Sequence, residues 1–101
     1  MEPNEAWDLD FAGPLTETPR GNKVILVVVD AFTKYIEAVP LKDQTARTTA
    51  EALEQTMLRI GPPQTIITDQ GTNFESELFK ELCQLFQIEN CHPVKIAKQG
   101  H

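Results

Sequence analysis

The chain has 101 residues, of which 41% are hydrophobic and 24% charged, and this length and composition fit one globular domain. It has no apolar run near the roughly 20 residues of a membrane-spanning helix and no signal-peptide start, so we expect an intracellular protein with no membrane partner. Its net charge of −6 opposes phosphate binding unless carboxylates collect metal ions that restore positive charge.

The N-terminal part of the chain predicts three strands. Residues 6–12, AWDLDFA, alternate apolar and polar side chains, and this period of two is typical of a strand. Residues 24–29, VILVVV, are apolar on both faces and predict a strand in the middle of a sheet. Residues 35–41, YIEAVPL, predict a third strand at a sheet edge, because Pro40 cannot donate a ladder hydrogen bond. Strands so close in sequence predict an antiparallel meander.

A helix is predicted next. Apolar side chains spaced four and three residues apart define one helix face: Ala46, Ala50, Leu53, Met57 and Ile60. Thr45 and Thr48 are both candidates for its N-cap, and Thr48 with Glu51 fits the capping-box pattern. Gly61 and the two prolines after it end the helix.

The rest of the chain predicts a strand, a helix and a last strand. Residues 65–68 read as a buried strand, and the second helix follows with an apolar stripe of Phe74, Leu78, Leu82 and Leu85. Residues 88–91 are the candidate fifth strand, and the last ten residues carry no clear period. Cys83 and Cys91 do not make a disulfide framework, and we expect both to be reduced. The order β-β-β-α-β-α-β predicts an α/β sheet with helices on its faces.

A carboxylate follows the fourth predicted strand. Asp69 stands at the carboxyl end of residues 65–68, and Gly71 permits a tight turn into the second helix, which Thr72 or Asn73 can cap. Sites in open α/β sheets lie outside the carboxyl ends of strands. Asp69 is therefore a candidate site residue, and a plain turn or capping role is the alternative.

Asp10 lies near the end of the first predicted strand. If the strand of residues 65–68 pairs beside it, the two backbones lie about 4.8 Å apart. Two carboxylates so placed repel each other unless a cation bridges them, and a hard divalent metal ion suits their oxygen atoms. Asp8, on the same strand face, is a rival first ligand. Asp30 and Asp43 flank turns and are expected to be turn residues or caps.

Three motifs in this order resemble the integrase catalytic core of retroviruses and gypsy-class LTR retrotransposons. They are W-x-x-D-F-x-G-P over residues 7–14, GNKVILVVVDAFTKYIEAVPL over residues 21–41, and IITDQGTNF over residues 66–74. The resemblance covers nearly the whole chain. It implies an α/β fold of the ribonuclease-H-like type, a five-stranded mixed sheet of order 3-2-1-4-5 flanked by helices, with strands one and four side by side.

The resemblance also implies a chemistry, which is polynucleotidyl transfer in DNA integration. The family holds two Mg²⁺ or Mn²⁺ ions with a triad of two aspartates and a glutamate. Carried over by motif, Asp10 is the first acid and Asp69 the second, both as catalytic residues and metal ligands. The implied partners are DNA, as element ends and as target, and a second copy of the chain in a homodimer. The implied location of an active integrase is the nucleus.

One part of the family pattern has no match. The third acid follows the second aspartate at a spacing that passes His101, and Glu89 comes too early. We therefore expect residues 1–101 to be an integrase core-like domain that is C-terminally truncated, lacks its last helices and has little activity by itself. Two alternatives are a ribonuclease-H-type nuclease completed by Glu51 or Glu54, and a non-catalytic domesticated module for binding or dimerisation.

Overall fold

A computed structural model of the chain describes residues 5–13, 21, 24–86 and 95–98. Within these residues, five strands and two helices follow one another. They are β1 (Ala6–Ala12), β2 (Val24–Asp30), β3 (Ile36–Leu41), α1 (Ala46–Ile60), β4 (Thr65–Thr68), α2 (Thr72–Phe86) and β5 (Lys95–Lys98). The strands form one sheet of order β3-β2-β1-β4-β5, which confirms the expected ribonuclease-H-like α/β architecture.

The sheet is mixed, and its two halves differ in strand direction. β1 pairs antiparallel with β2, and β2 pairs antiparallel with β3, which confirms the predicted meander. β3 lies at the edge, as a strand containing Pro40 requires. β4 runs parallel to β1, and β5 runs parallel to β4. β1 is therefore the central strand, with one antiparallel and one parallel neighbour.

The last strand lies where the sequence has no periodic pattern. β5 occupies Lys95–Lys98, in the terminal segment for which no element was predicted. It forms by parallel pairing with β4, in a register that sets Ile96 opposite Ile66. Four residues are too few to display a period, and their pairing is decided by the neighbouring strand rather than by local pattern. The strand predicted at residues 88–91 lies outside the described residues.

Cys83, in α2, is disulfide-bonded. The expectation that both cysteines are reduced is therefore wrong for Cys83, while Cys91 lies outside the described residues. A low cysteine count excludes a framework of several bridges, but a single bond depends on the approach of two Cβ atoms in space, which the sequence does not give.

The core lies between the sheet and both helices. One cluster of buried side chains joins the strands to α1 and α2, and it consists of Trp7, Leu9, Leu26, Val28, Leu41, Ala50, Leu53, Met57, Ile66, Leu78 and Leu82. Every second side chain of β2 is buried, and those between are only partly covered. Both described helices thus pack on one face of the sheet, and neither is long and apolar enough to cross a membrane.

Thr45 is the N-cap of α1. Its backbone is extended, at φ −75° and ψ 159°, and its hydroxyl oxygen accepts a hydrogen bond from the Thr48 N–H at 3.2 Å. Asp43 in turn accepts hydrogen bonds from the Thr45 N–H at 3.1 Å and the Thr45 hydroxyl at 2.8 Å. Of the two candidate caps, Thr45 is therefore the one used, and Thr48 with Glu51 lies inside the helix.

An ion pair joins the last turn of α1 to the edge strand β3. Both terminal nitrogens of the Arg59 guanidinium donate to the Glu37 carboxylate, with Nη1 at 3.2 Å from Oε1. The Tyr35 hydroxyl donates to the same oxygen at 2.8 Å. The hydrogen bond from Arg59, with that from Tyr35, lowers the pKa of Glu37 below its ordinary value of 4.5. The same carboxylate raises the pKa of the Tyr35 hydroxyl.

Replacing the cap residue tests the start of α1. We expect Thr45→Ala to lower the free energy of unfolding by about 1 kcal/mol, because the Thr48 N–H loses its acceptor. Urea unfolding at neutral pH measures this loss. Thr48→Ala is the matched control and should cost less than about 0.5 kcal/mol, because its backbone N–H remains capped. Equal losses in the two variants would contradict the assignment of Thr45 as the cap.

Acid should remove the stabilisation that Glu37 provides. Its pKa is lower in the folded chain than in the unfolded chain, so its contribution is present above the unfolded value and disappears as the pH falls through the folded value. We expect the difference in unfolding free energy between wild type and Glu37→Gln to shrink towards zero from about pH 6 to about pH 2. In Glu54→Gln, whose carboxylate forms no ion pair within the described part of the chain, the difference should stay small at every pH. A Glu37→Gln difference that is independent of pH would refute this expectation.

Candidate functional site

The pairing of β1 with β4 determines the relative height of the two candidate acids. The paired residues are Ala6 with Thr65, Trp7 with Ile66 and Asp8 with Ile67. The pairs end at Asp8 and Ile67. Extended by two residues, the same register would set Asp10, inside β1, level with Asp69, directly after β4. Because parallel strands lie about 4.8 Å apart, this register favours the pair of acids that the sequence predicts, and their pairing stays a prediction.

The same register separates Asp10 from its rival Asp8. Asp8 lies opposite Ile67, an apolar residue, whereas the same register extended by two residues would set Asp69 opposite Asp10. Asp8 is also half-buried, while Asp10 is exposed. Trp7 and Leu9 alternate with the two aspartates and are buried in the core, so both aspartates lie on the sheet face away from the helices.

Each candidate carboxylate has a local hydrogen-bond donor. The Asp10 Oδ1 atom accepts from the Phe11 N–H at 2.9 Å. The Asp69 Oδ1 atom accepts from the Gln70 side-chain amide at 3.4 Å. Asp69 is exposed, and the Thr68 side chain immediately before it is fully buried. The strand is therefore anchored in the core up to the residue that precedes the carboxylate.

A glycine turn explains how the chain leaves the site. Gly71 has φ 108°, a left-handed conformation that L side chains adopt only with strain. A Cβ atom at Gly71 would meet nothing within 4 Å, so the backbone angle, rather than space, calls for glycine. The Gly71 carbonyl accepts from the Glu75 N–H at 3.0 Å as α2 begins at Thr72. Thr72 and Asn73 thus lie inside the first turn of α2 instead of capping it.

An aromatic pair connects β1, which carries Asp10, to α2, the helix that follows Asp69. The rings of Phe11, at the end of β1, and Phe74, in the first turn of α2, pack edge to face with centroids 5.9 Å apart. Both side chains also contact the core cluster. Edge-to-face packing is favourable beyond the burial of area alone. The pair therefore fixes the end of β1 against the start of α2, directly behind Asp10 and Asp69.

The other acids that the sequence offered do not join this pair. Within the described part of the chain, no three His, Cys, Asp or Glu side chains form a group that could hold a metal ion. Glu51 instead forms an ion pair with Arg47 at 3.5 Å on the exposed face of α1. The geometry thus gives no support to a nuclease completed by Glu51 or Glu54.

Asp30 and Asp43 have the turn roles expected of them. The Asp30 Oδ1 atom accepts from the N–H groups of Phe32 at 2.9 Å and Thr33 at 3.0 Å, in the turn between β2 and β3. Asp43 supports the cap of α1 through its two hydrogen bonds with Thr45. Both aspartates thus support local structure, one in a turn and the other at a helix cap.

Sequence patterns gave no sign of one contact beside Asp69. The Gln44 side-chain amide, in the connection from β3 to α1, donates to the Gln70 side-chain carbonyl at 2.8 Å. The two residues are 26 positions apart. Glutamines in polar connections have no period or motif that would reveal such a contact, and only the tertiary fold brings them together.

Known proteins resemble this chain in sequence. The chain matches the family model of the integrase core domain over residues 1–95. It is 35% identical over 92 residues to the retrovirus-related Pol polyprotein from transposon 412 of Drosophila melanogaster, an alignment of 87% of this chain and 7% of that protein. It is 35% identical over 86 residues to gypsy retrotransposon integrase-like protein 1 of Homo sapiens, covering 82% of this chain and 16% of that protein.

A solved structure resembles it in three dimensions. The HTLV-2 integrase catalytic core domain, in complex with magnesium and in a dimeric form, superposes with a TM-score of 0.72 and 26% identity. The alignment covers 97% of this chain and 62% of that one. The chain thus spans a small part of the polyprotein relatives and less than two thirds of this core. With the family model matched over residues 1–95 and this fold, the chain belongs to the integrase core domain family.

Proposed function

We propose that this chain acts in DNA integration as the metal-binding part of a polynucleotidyl transferase, with Asp10 and Asp69 as two of its metal ligands. The observation that carries the proposal is the parallel register of β1 and β4, which pairs Asp8 with Ile67, two residues before Asp10 and Asp69. Membership of the integrase core domain family supports the reaction class.

The donor set suits Mg²⁺ or Mn²⁺. Both carboxylates are exposed at strand ends, so their oxygen atoms are accessible to an ion and keep room for its water ligands. Mg²⁺ is commonly bound by one or two carboxylates together with substrate phosphates. Binding to the chain alone is therefore weak, and nucleic acid phosphates complete the coordination. The magnesium complex of the HTLV-2 core domain is consistent with this choice of ion.

The chain's own contribution is position and charge. When bound, the ions supply activation of the attacking water or DNA 3′-hydroxyl and stabilisation of the leaving oxygen. The negative charges of Asp10 and Asp69 repel phosphate by themselves; the two carboxylates would hold a divalent cation, and its charge would offset that repulsion. The Phe11–Phe74 pair keeps the supporting strand and helix together behind the acids.

DNA is the proposed partner, and a second copy of the chain is proposed as well. A net charge of −6 gives the chain little affinity for phosphate outside a metal site, so metal is required before DNA binds. The dimeric form of the HTLV-2 core domain supports the homodimer. With two acids in place and a third unmatched, we propose little strand transfer by this 101-residue chain alone. Action on chromosomal DNA would place the working protein in the nucleus.

Removing either acid tests the metal site. We expect Asp10→Asn and Asp69→Asn to weaken Mg²⁺ binding at least about tenfold, because each removes a direct ligand and even indirect partners of ligands matter that much. The measurement is a Mg²⁺ titration followed by NMR amide shifts, repeated with Mn²⁺ by the broadening of nearby resonances. Asp8→Asn is the matched control and should retain wild-type affinity.

Two results would contradict the proposal. One is a wild-type chain whose amide shifts do not respond to Mg²⁺ and whose resonances near Asp10 and Asp69 are not broadened by Mn²⁺. The other is an Asp8→Asn variant as impaired as Asp10→Asn, which would mean that the response reflects general charge. Either would leave the non-catalytic binding module as the better description.

A further inference from the structure

A directional chain of hydrogen bonds ends on the Asp69 carboxylate. The Gln44 Nε2 atom donates to the Gln70 Oε1 atom at 2.8 Å, and the Gln70 Nε2 atom donates to the Asp69 Oδ1 atom at 3.4 Å. The Gln70 amide uses its carbonyl as acceptor and its NH₂ as donor, so the contact with Gln44 fixes which end of the amide faces Asp69. The Gln44 contact selects the Gln70 orientation in which the NH₂ group faces Asp69.

Both glutamines in this chain of hydrogen bonds are attached to ordered structure. The Gln70 N–H donates to the Thr68 Oγ1 atom at 3.4 Å, and Thr68 is fully buried. Gln44 stands between Asp43 and Thr45, the two residues that form the cap of α1. The Gln44 backbone is therefore held at the helix start, 26 positions before Gln70 in the sequence.

Asp69 needs such support more than a buried ligand would. It is exposed, and it follows the last residue of β4, so ladder hydrogen bonds do not restrict its side chain. A carboxylate that must be ordered when a metal binds loses rotamer freedom at that moment, which weakens binding. Hydrogen bonds to ligating carboxylates reduce this loss and strengthen metal sites.

We propose that Gln44 is a positioning residue for Asp69 and that it acts through Gln70. The inference rests on the proposed metal site, because positioning matters only if Asp69 binds an ion. A neutral amide suits this role, since it orients the carboxylate and leaves its negative charge intact. A lysine or arginine at the same place would neutralise that charge. The contact also connects the start of α1 to the site, so disorder at the helix cap reduces metal affinity.

The test compares leucine variants of the 101-residue chain. We expect Gln44→Leu and Gln70→Leu each to weaken Mg²⁺ binding about threefold, the size expected for losing an exposed and long hydrogen bond to a ligand. Because Gln44 acts through Gln70, the double variant should bind no more weakly than Gln70→Leu alone. Gln55→Leu, which removes an exposed amide from the middle of α1, is the matched control and should bind Mg²⁺ as the wild type does.

A second readout needs no metal. The ¹⁵N relaxation of the Gln70 side-chain NH₂ group reports its order, and we expect the order parameter to fall in Gln44→Leu and to stay unchanged in Gln55→Leu. Thermal unfolding of each variant separates this effect from a general loss of stability. If Gln44→Leu does not fold, Gln44→Ala makes the same comparison with a smaller change.

The outcomes separate this inference from the proposed function. Mg²⁺ binding that depends on Asp69 but is unaffected by Gln44→Leu overturns the positioning role and leaves the metal site standing. If the double variant loses as much Mg²⁺ affinity as the two single variants together, Gln44 does not act through Gln70. If neither Asp10→Asn nor Asp69→Asn alters Mg²⁺ binding, the proposed function fails and the positioning of a ligand fails with it, whatever the order of the Gln70 amide.

Discussion

The parallel register between β1 and β4 is the constraint on which the site depends. It begins before the strands themselves, where the Thr65 N–H donates to the Glu5 carbonyl at 3.0 Å, and it continues to Asp8 and Ile67. A slip of one residue would turn every side chain of β4 to the opposite sheet face. Such a slip would bury Asp69 among the core residues and expose Ile66, which is fully buried. The core therefore selects the register that sets the two acids level.

Function and stability use alternate positions of the same strand. In β1, Trp7 and Leu9 are buried beneath the helices, while Asp8 and Asp10 project from the other face. A period of two thus gives the strand an anchoring face and an acidic face at no cost to either. Because Asp10 and Asp69 are exposed, water reduces the repulsion between their carboxylates, so the fold tolerates both charges. The stability of the strand pair comes from the buried faces.

The sequence predicts those elements whose signal is local. Alternation predicts β1, an apolar run predicts β2, and spacings of three and four predict both helices. The local sequence pattern fails to predict an element when pairing with a neighbouring strand determines whether it forms. β5 follows from the free edge of β4, and its four residues carry no period. Thr45 and Thr48 were equal candidates for the cap because both fit the local pattern, and the choice of Thr45 depends on its hydrogen bonds with Asp43 and Thr48.

In the candidate site too, residues within local motifs are predictable from the sequence, and contacts between distant segments are not. Asp10 and Asp69 are visible in the sequence because the first lies within a recognisable strand, the second directly follows one, and each belongs to a recognisable motif. The Gln44–Gln70 contact is invisible there, since it joins two polar connections 26 positions apart. The surroundings of Asp69 are thus less local than Asp69 itself: its carboxylate accepts a hydrogen bond from Gln70, and Gln70 accepts one from Gln44, beside the start of α1. A carboxylate at an open strand end lacks burial to order its side chain, so hydrogen bonds from neighbouring loops are the remaining source of order.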